Sequence, residues 1–366
     1  MRERQKGIDE YVVKLFNSGQ SDGVRYALLT EFFRVFHNDP SEQGLEQVVT
    51  ALAKPFFSLH NKRVNLSWNQ EREFLKAMFG FIQDCERKTE SDDLKRKLAG
   101  IGYGWRVITA ARTGESVLRT GDWKFPAYSW SHAADFAERI AKYGKGEDRM
   151  SFLIKAAEAN VQAAEMIRNE MIRRSGRKDG KRTRRKHVIH EIKSRSIAGN
   201  LYERVLEENA GRREFEIARQ MFREKYAAAY RRDGNEVIDF NYQIRLTAEA
   251  GIAALYCALA GERREDQEEY MKRAERVFER CRRNLDEMSD HRRKGETRRD
   301  MLDFELMKKY LEGEREEVTR ELIECLRQND LELPRRLHIF AKLDYSFGER
   351  CEGIIAGLKE GRDRPY

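Results

Sequence analysis

The sequence predicts an all-α protein, built as an N-terminal helical domain followed by antiparallel helical hairpins stacked into a superhelix. Three observations carry that expectation. Only 5 prolines interrupt 366 residues, of which 37% are charged and 40% hydrophobic, and such a chain, rich in Glu, Lys, Arg, Leu and Ala, favours helix. Apolar residues recur three or four apart over most of its length, which gathers them on one helix face. In the C-terminal half, turn-forming glycines recur about fifty residues apart, the mark of an array of similar units.

Residues 1–115 form the aromatic, apolar part. Tyr26, Leu29, Phe32 and Phe36 make one stripe, and Leu45, Val48, Leu52, Phe56 and Leu59 a second. Asp39-Pro40-Ser41 separates them, with Ser41 suited to cap the second helix. A third run aligns Phe74, Met78, Phe81 and Cys85, and a fourth extends from about Ser91 to Arg112. Between Thr113 and Trp130 the period lapses at Gly114, Gly121 and Pro126, while Trp123, Phe125, Tyr128 and Trp130 crowd together. Residues 116–130 therefore read as an aromatic connector, whose rings cap the N-terminal core or, alternatively, offer a stacking surface.

Residues 131–366 read as paired helices. Turns are expected at Gly144-Lys145-Gly146, Gly211, Gly261 and Gly313, since glycine readily takes the left-handed conformation that ends a helix. The stripes between them are Leu153, Ala157, Val161, Ala164, Ile167 and Met171; Phe215, Ala218, Phe222, Tyr226 and Ala229; and Phe240, Ile244, Ala248, Gly251, Leu255 and Ala258. Tyr270, Ala274, Val277, Cys281 and Leu285 follow, and then Val318, Leu322 and Cys325. Pairs such as Glu268–Lys272, Glu269–Arg273 and Glu279–Arg283 mark solvent faces.

Ala254 lies seven residues before the turn Gly261, and Tyr270 nine after it. In these positions residues 187–330 resemble the tetratricopeptide-like helical repeats, although the unit is longer, Asp266 opens the second helix and no proline ends the units. The resemblance implies a superhelix that binds a peptide or another protein and carries no catalytic residue.

Residues 173–186 form a basic linker containing Arg173, Arg174, Arg177, Lys178, Lys181, Arg182, Arg184, Arg185 and Lys186, against the single acid Asp179. Its charge of +8 equals that of the whole chain. Such a flexible cationic segment suits a phosphate backbone or an acidic protein, or serves as a solvated tether. Arg185 and His190, like Arg182 and His187, have the Arg-x4-His spacing of HEPN-type helical ribonucleases. That resemblance implies a metal-independent cleavage with His as general acid or base.

The remaining signals exclude classes. Cys85, Cys257, Cys281, Cys325 and Cys351 are odd in number and unpaired in spacing, so neither a disulfide framework nor a zinc knuckle is expected. No apolar segment follows the N-terminal Met1-Arg2-Glu3-Arg4, and the longest apolar run, about residues 250–260, is too short for a bilayer. A soluble, cytoplasmic protein is expected. No phosphate loop, nucleophile elbow or His-Glu-x-x-His motif occurs, and no cofactor is implied. The expected function is a non-enzymatic interaction scaffold for a protein or peptide partner, with nucleic-acid binding through residues 173–186 as the alternative and a helical ribonuclease third.

Overall fold

The computed structural model describes residues 80, 82–120, 124–174, 181–208, 214–231, 238–261, 263–314, 316–318, 320 and 321. The stripes expected within 26–59, with Phe74, Met78, Phe81, Gly211, Leu322 and Cys325, lie outside them. Among the described residues the fold is all-α, with no strand. A helical segment at 82–88 precedes α1 (Asp92–Thr120), α2 (Lys124–Tyr143), α3 (Gly146–Arg174), α4 (Lys181–Glu207), α5 (Glu214–Ala229), α6 (Phe240–Ala260), α7 (Arg264–Asn284) and α8 (His291–Leu311). The chain divides into two compact units, Met1–Met166 and Ile167–Tyr366.

In the first unit Ser91 opens α1, its hydroxyl accepting the Leu94 N–H at 3.3 Å. α1 and α2 pack on each other along Leu98, Trp105, Ala133, Phe136, Ala137 and Ile140, all buried. The two backbones approach at Gly102, where a Cβ would stand 2.5 Å from the Phe136 ring. Gly146, at φ +53°, supplies the left-handed residue that opens α3, as the glycine-rich turn predicts. The expected connector at 116–130 is different from what folds. α1 runs through Gly114 to Thr120 and α2 has begun by Lys124, so residues 116–120 and 124–130 are helical. A helical glycine costs only about 1 kcal/mol relative to alanine. Pro126 sits in the first turn of α2, where its missing N–H has no intrahelical acceptor in any case. Packing between α1 and α2 thus outweighs the local punctuation.

The basic linker needs a similar correction. Arg173 and Arg174 belong to the last turn of α3, and Lys181 through Lys186 to the first turns of α4. Lys and Arg are good helix formers, so a run of charge does not end a helix.

In the second unit α4, α5, α6 and α7 pack in succession, and α8 lies against α6 and α7. α6 is the centre. Its small residues Ala248, Ala250, Gly251, Ala253, Ala254 and Ala258 are buried and admit neighbours on several sides. At Gly251 a Cβ would stand 2.6 Å from the Phe278 ring of α7. Val188 and Ile192 of α4, Ala228 and Ala229 of α5, and Leu246 and Ala250 of α6 share one apolar cluster. Asp239 caps α6, accepting the Asn241 N–H at 3.0 Å. The Asn241 amide then reaches the start of α8: its Oδ1 accepts the N–H groups of Ser289 and Asp290, at 2.9 and 3.1 Å, and its Nδ2 donates to Ser289 Oγ.

Gly261 and Gly313 both lie outside helices, as expected, but by different means. Gly313 has φ +99°, whereas Gly261 is extended, at φ −67° and ψ 121°, so α6 does not end in a left-handed cap. Instead the Gly261 carbonyl accepts a hydrogen bond from Gln267 Nε2 at 2.8 Å. Ion pairs Glu269–Arg273 and Glu279–Arg283 form as the sequence suggests, while Glu268 pairs with Arg264. Tyr270, Ala274, Val277 and Cys281 are buried along α7.

Candidate interaction groove

α5 has two faces with different chemistry. Ala218, Met221, Glu224, Lys225, Ala228 and Ala229 are buried, and the helix packs on α4 and α6. Phe222, Tyr226 and Tyr230, one helical turn apart, form a ladder along one edge of that buried surface. The Phe222 and Tyr226 ring centroids are 5.3 Å apart, and those of Tyr226 and Tyr230 stack at 4.3 Å with 23° between planes. Phe222 is buried, whereas Tyr226 is 42% exposed. Tyr270 of α7 meets Phe222 edge-on at 5.5 Å.

The ladder borders a groove of about 1280 Å³, completed by α7 and by Phe304, Glu305 and Lys308 of α8. Arginines from α7 lie over its rings. The Arg273 guanidinium is 5.6 Å from the Phe222 centroid and 5.0 Å from that of Tyr270, and Arg280 is 5.0 Å from Tyr230. Such cation–π contacts hold a guanidinium in place without neutralising it. Burial raises the Tyr230 and Tyr270 hydroxyls above their usual pKa, against the lowering pull of Arg280 on the first and Arg219 and Arg273 on the second, so both stay protonated at neutral pH.

The charges on the groove are mixed but do not cancel. Among the described residues its cations are Arg273, Arg276, Arg280, Arg282, Arg283 and Lys308, and its acids Glu269, Glu275, Glu279 and Glu305, giving +2. Every one of those acids is already paired: Glu269 with Arg273, Glu275 with Lys308, Glu279 with Arg282 and Arg283, and Glu305 with Arg282. Among the described residues, Arg276 and Arg280 have no carboxylate partner. The excess charge is therefore located on two residues one turn apart, beside the exposed tyrosine stack.

The expected site residues lie elsewhere. Lys181, Arg182, Arg184, Arg185 and Lys186 share the first turns of α4, Arg173 and Arg174 end α3, and Arg177 and Lys178 fall outside the described residues. Arg185 and Lys186 are exposed. Neither Arg185 nor Lys186 lines the groove. His187 is buried on α4, while His190 is exposed, its pKa lowered by desolvation and by Lys193 and Lys186. Five helical residues turn through about 140°, so Arg185 and His190 leave α4 in different directions.

Other polar clusters serve the interior. The Arg195 guanidinium on α4 sits between Glu191, at 3.4 Å, and Glu224 of α5, at 2.5 Å, with both carboxylates 1% exposed. Lys225 pairs with Glu203 across the same interface. Burial pushes the Cys85 and Cys281 thiols up to about 12 and that of Cys257 higher still, which suits packing and not nucleophilic chemistry. Among the described residues no group of three or more His, Cys, Asp or Glu side chains could hold a metal ion, and no helix is long and apolar enough to cross a membrane. No protein-family model, curated protein or solved structure matches the chain.

Proposed function

We propose that this chain is a non-enzymatic helical scaffold that holds a protein or peptide partner in the groove bounded by α5, α7 and α8. The observation that carries the reading is the Phe222–Tyr226–Tyr230 ladder, one side of it open beneath fixed arginines. Aromatic and arginine side chains are the residues that dominate protein interfaces when they cluster around a groove. At about 1280 Å³ the groove exceeds the roughly 300–1,000 Å³ of small-molecule sites. Consecutively packed helices further support the tetratricopeptide-like superhelix that the sequence suggests, because such arrays present extended surfaces to a chain-like ligand. Display selection of random peptides on the folded protein tests the reading. Selected peptides should lose about 2 kcal/mol of binding to a Tyr226→Ala, Tyr230→Ala variant. Selected peptides that bind the variant as well as the parent would refute it.

A second reading has its own observation. Five cations stand in the first two turns of α4, with Arg185 and Lys186 exposed, an arrangement suited to a phosphate backbone. Replacing Arg177, Lys178, Lys181, Arg182, Arg184 and Arg185 by Gln should then flatten the salt dependence of oligonucleotide binding, by about 0.7–0.9 in log–log slope for each phosphate no longer neutralised. An unchanged slope in the folded variant leaves the segment without that role.

A further inference from the structure

Resting on the scaffold reading, we infer that the groove takes an acidic peptide segment, its carboxylates on Arg276 and Arg280 and an apolar side chain on the Tyr226–Tyr230 stack. The inference comes from charge complementarity. With every acid of the lining engaged by a lining cation, the surplus of +2 rests on these two arginines. Two carboxylates neutralise it.

Their spacing suits a peptide. Positions one turn apart on a helix are separated by about 6 Å along its axis. Alternate residues of an extended chain lie at nearly the same interval, about 6.8 Å, so consecutive same-side acids fall on successive arginines. Each guanidinium offers a planar fork that matches a carboxylate in two-point contact. Arg280 is held over Tyr230 at 5.0 Å, and Arg276, an exposed residue, donates from Nε to the Lys272 carbonyl at 3.2 Å. Tyr226, partly exposed and stacked on Tyr230, is the adjacent apolar platform. A nucleic-acid strand fits less well. Its charge repeats at every residue, and beyond the two arginines it would run along carboxylates already satisfied by their own cations.

The test uses three probes on the full chain, read by fluorescence polarisation. The first is a synthetic peptide series alternating Asp or Glu with Phe or Leu, the second the same series with Lys for the acids, and the third a labelled oligouridylate. The acidic series should bind, should weaken at least tenfold with Arg276→Gln and further with Arg276→Glu, Arg280→Glu, and should weaken similarly with Tyr226→Ala. The charge-reversed variant should instead gain affinity for the Lys series, which a merely unfolded protein cannot do. Circular dichroism confirms folding, and Arg276→Gln, at an exposed position, serves where the double variant unfolds. Equal binding of acidic and Lys series, still dependent on Tyr226, overturns the acidic class while the scaffold reading survives. Arginine-dependent binding of oligouridylate alone overturns both, and so does the absence of binding by all three probes.

Discussion

Gly251→Ala, a single methyl group in the middle of α6, tests the packing on which the second unit depends. In an unpartnered helix this change stabilises by about 1 kcal/mol, because alanine is the better helix former. Here the new Cβ would stand 2.6 and 2.7 Å from two ring carbons of Phe278 and 3.1 Å from a third. Carbon atoms rest at about 3.5–4.0 Å, so the ring must retreat by nearly an ångström. It has little room. Phe278 is among the largest fully buried side chains, and its other face stacks on Phe304 at 4.8 Å with 24° between planes.

Overpacking of this kind costs about 1–3 kcal/mol, which matches or outweighs the propensity gain and leaves a net loss of about 0–2 kcal/mol. Urea unfolding followed by circular dichroism measures it, and a melting midpoint should fall by about 2–4 °C per kcal/mol for a unit of this size. A double-mutant cycle with Phe278→Leu isolates the cause. The smaller side chain leaves space for the methyl, so the pair should be less destabilised than the sum of its parts by about 1 kcal/mol. A stabilised Gly251→Ala variant, or strict additivity with Phe278→Leu, would refute the close approach of α6 and α7.

Other consequences are as direct. Arg195→Met removes the guanidinium that buried Glu224 and Glu191 share. Glu191 keeps Arg231 at 2.9 Å, so the stranded charge is that of Glu224, and the change should cost about 3–5 kcal/mol in urea unfolding; a loss under about 1 kcal/mol would remove the case for a buried charge network. Cys85, Cys257 and Cys281, protonated in the folded state because burial raises their pKa, should resist alkylation at pH 8 and react after unfolding, as site-resolved mass spectrometry can show. His190 should titrate below its usual value in an NMR series and move upward in Lys186→Gln or Lys193→Gln. Its folded pKa is depressed, so its contribution to stability is complete above the unfolded pKa of about 6.5 and declines as pH falls through the folded value; a midpoint at or above the unfolded value contradicts the placement.

Much of the helical framework was legible because periodicity reports a buried face directly. The α7 stripe Tyr270, Ala274, Val277 and Cys281 is core, and Gly146 and Gly313 take the left-handed backbone that their turn positions suggest. What failed was punctuation. Gly114, Pro126 and the cationic run after Arg173 all look like interruptions, yet helix continues through or begins among them, since a local penalty near 1 kcal/mol yields to the burial of an entire helix face. The groove was illegible for a different reason. Tyr226 shares the period of Phe222 and Ala229, and periodicity identifies a face without saying whether a neighbour covers it. Likewise, α7 reads as a helix laced with Glu–Arg pairs, and only the three-dimensional arrangement distinguishes Arg276 and Arg280, which lack an acid, from the arginines that have one.

The buried charges of α5 bear on why that groove has a fixed shape. Glu224 leaves α5 on the side away from Phe222 and Tyr226 and pairs with Arg195 of α4, while Lys225, beside Tyr226 in sequence, pairs with Glu203 of the same helix. Apolar contacts alone would let α5 rotate about its axis at small cost, because alanine and methionine pack in many orientations. An ion pair removed from water has no such tolerance. A rotation that separated Glu224 from Arg195 would strand a charge at 1% exposure, a penalty of several kcal/mol. Hydrophobic residues of similar size would stabilise the α4–α5 interface as well or better, so the effect of the charges is one of geometry. They set the angle at which Tyr226 and Tyr230 meet the groove, and a surface already ordered in this way loses less side-chain entropy when a partner arrives.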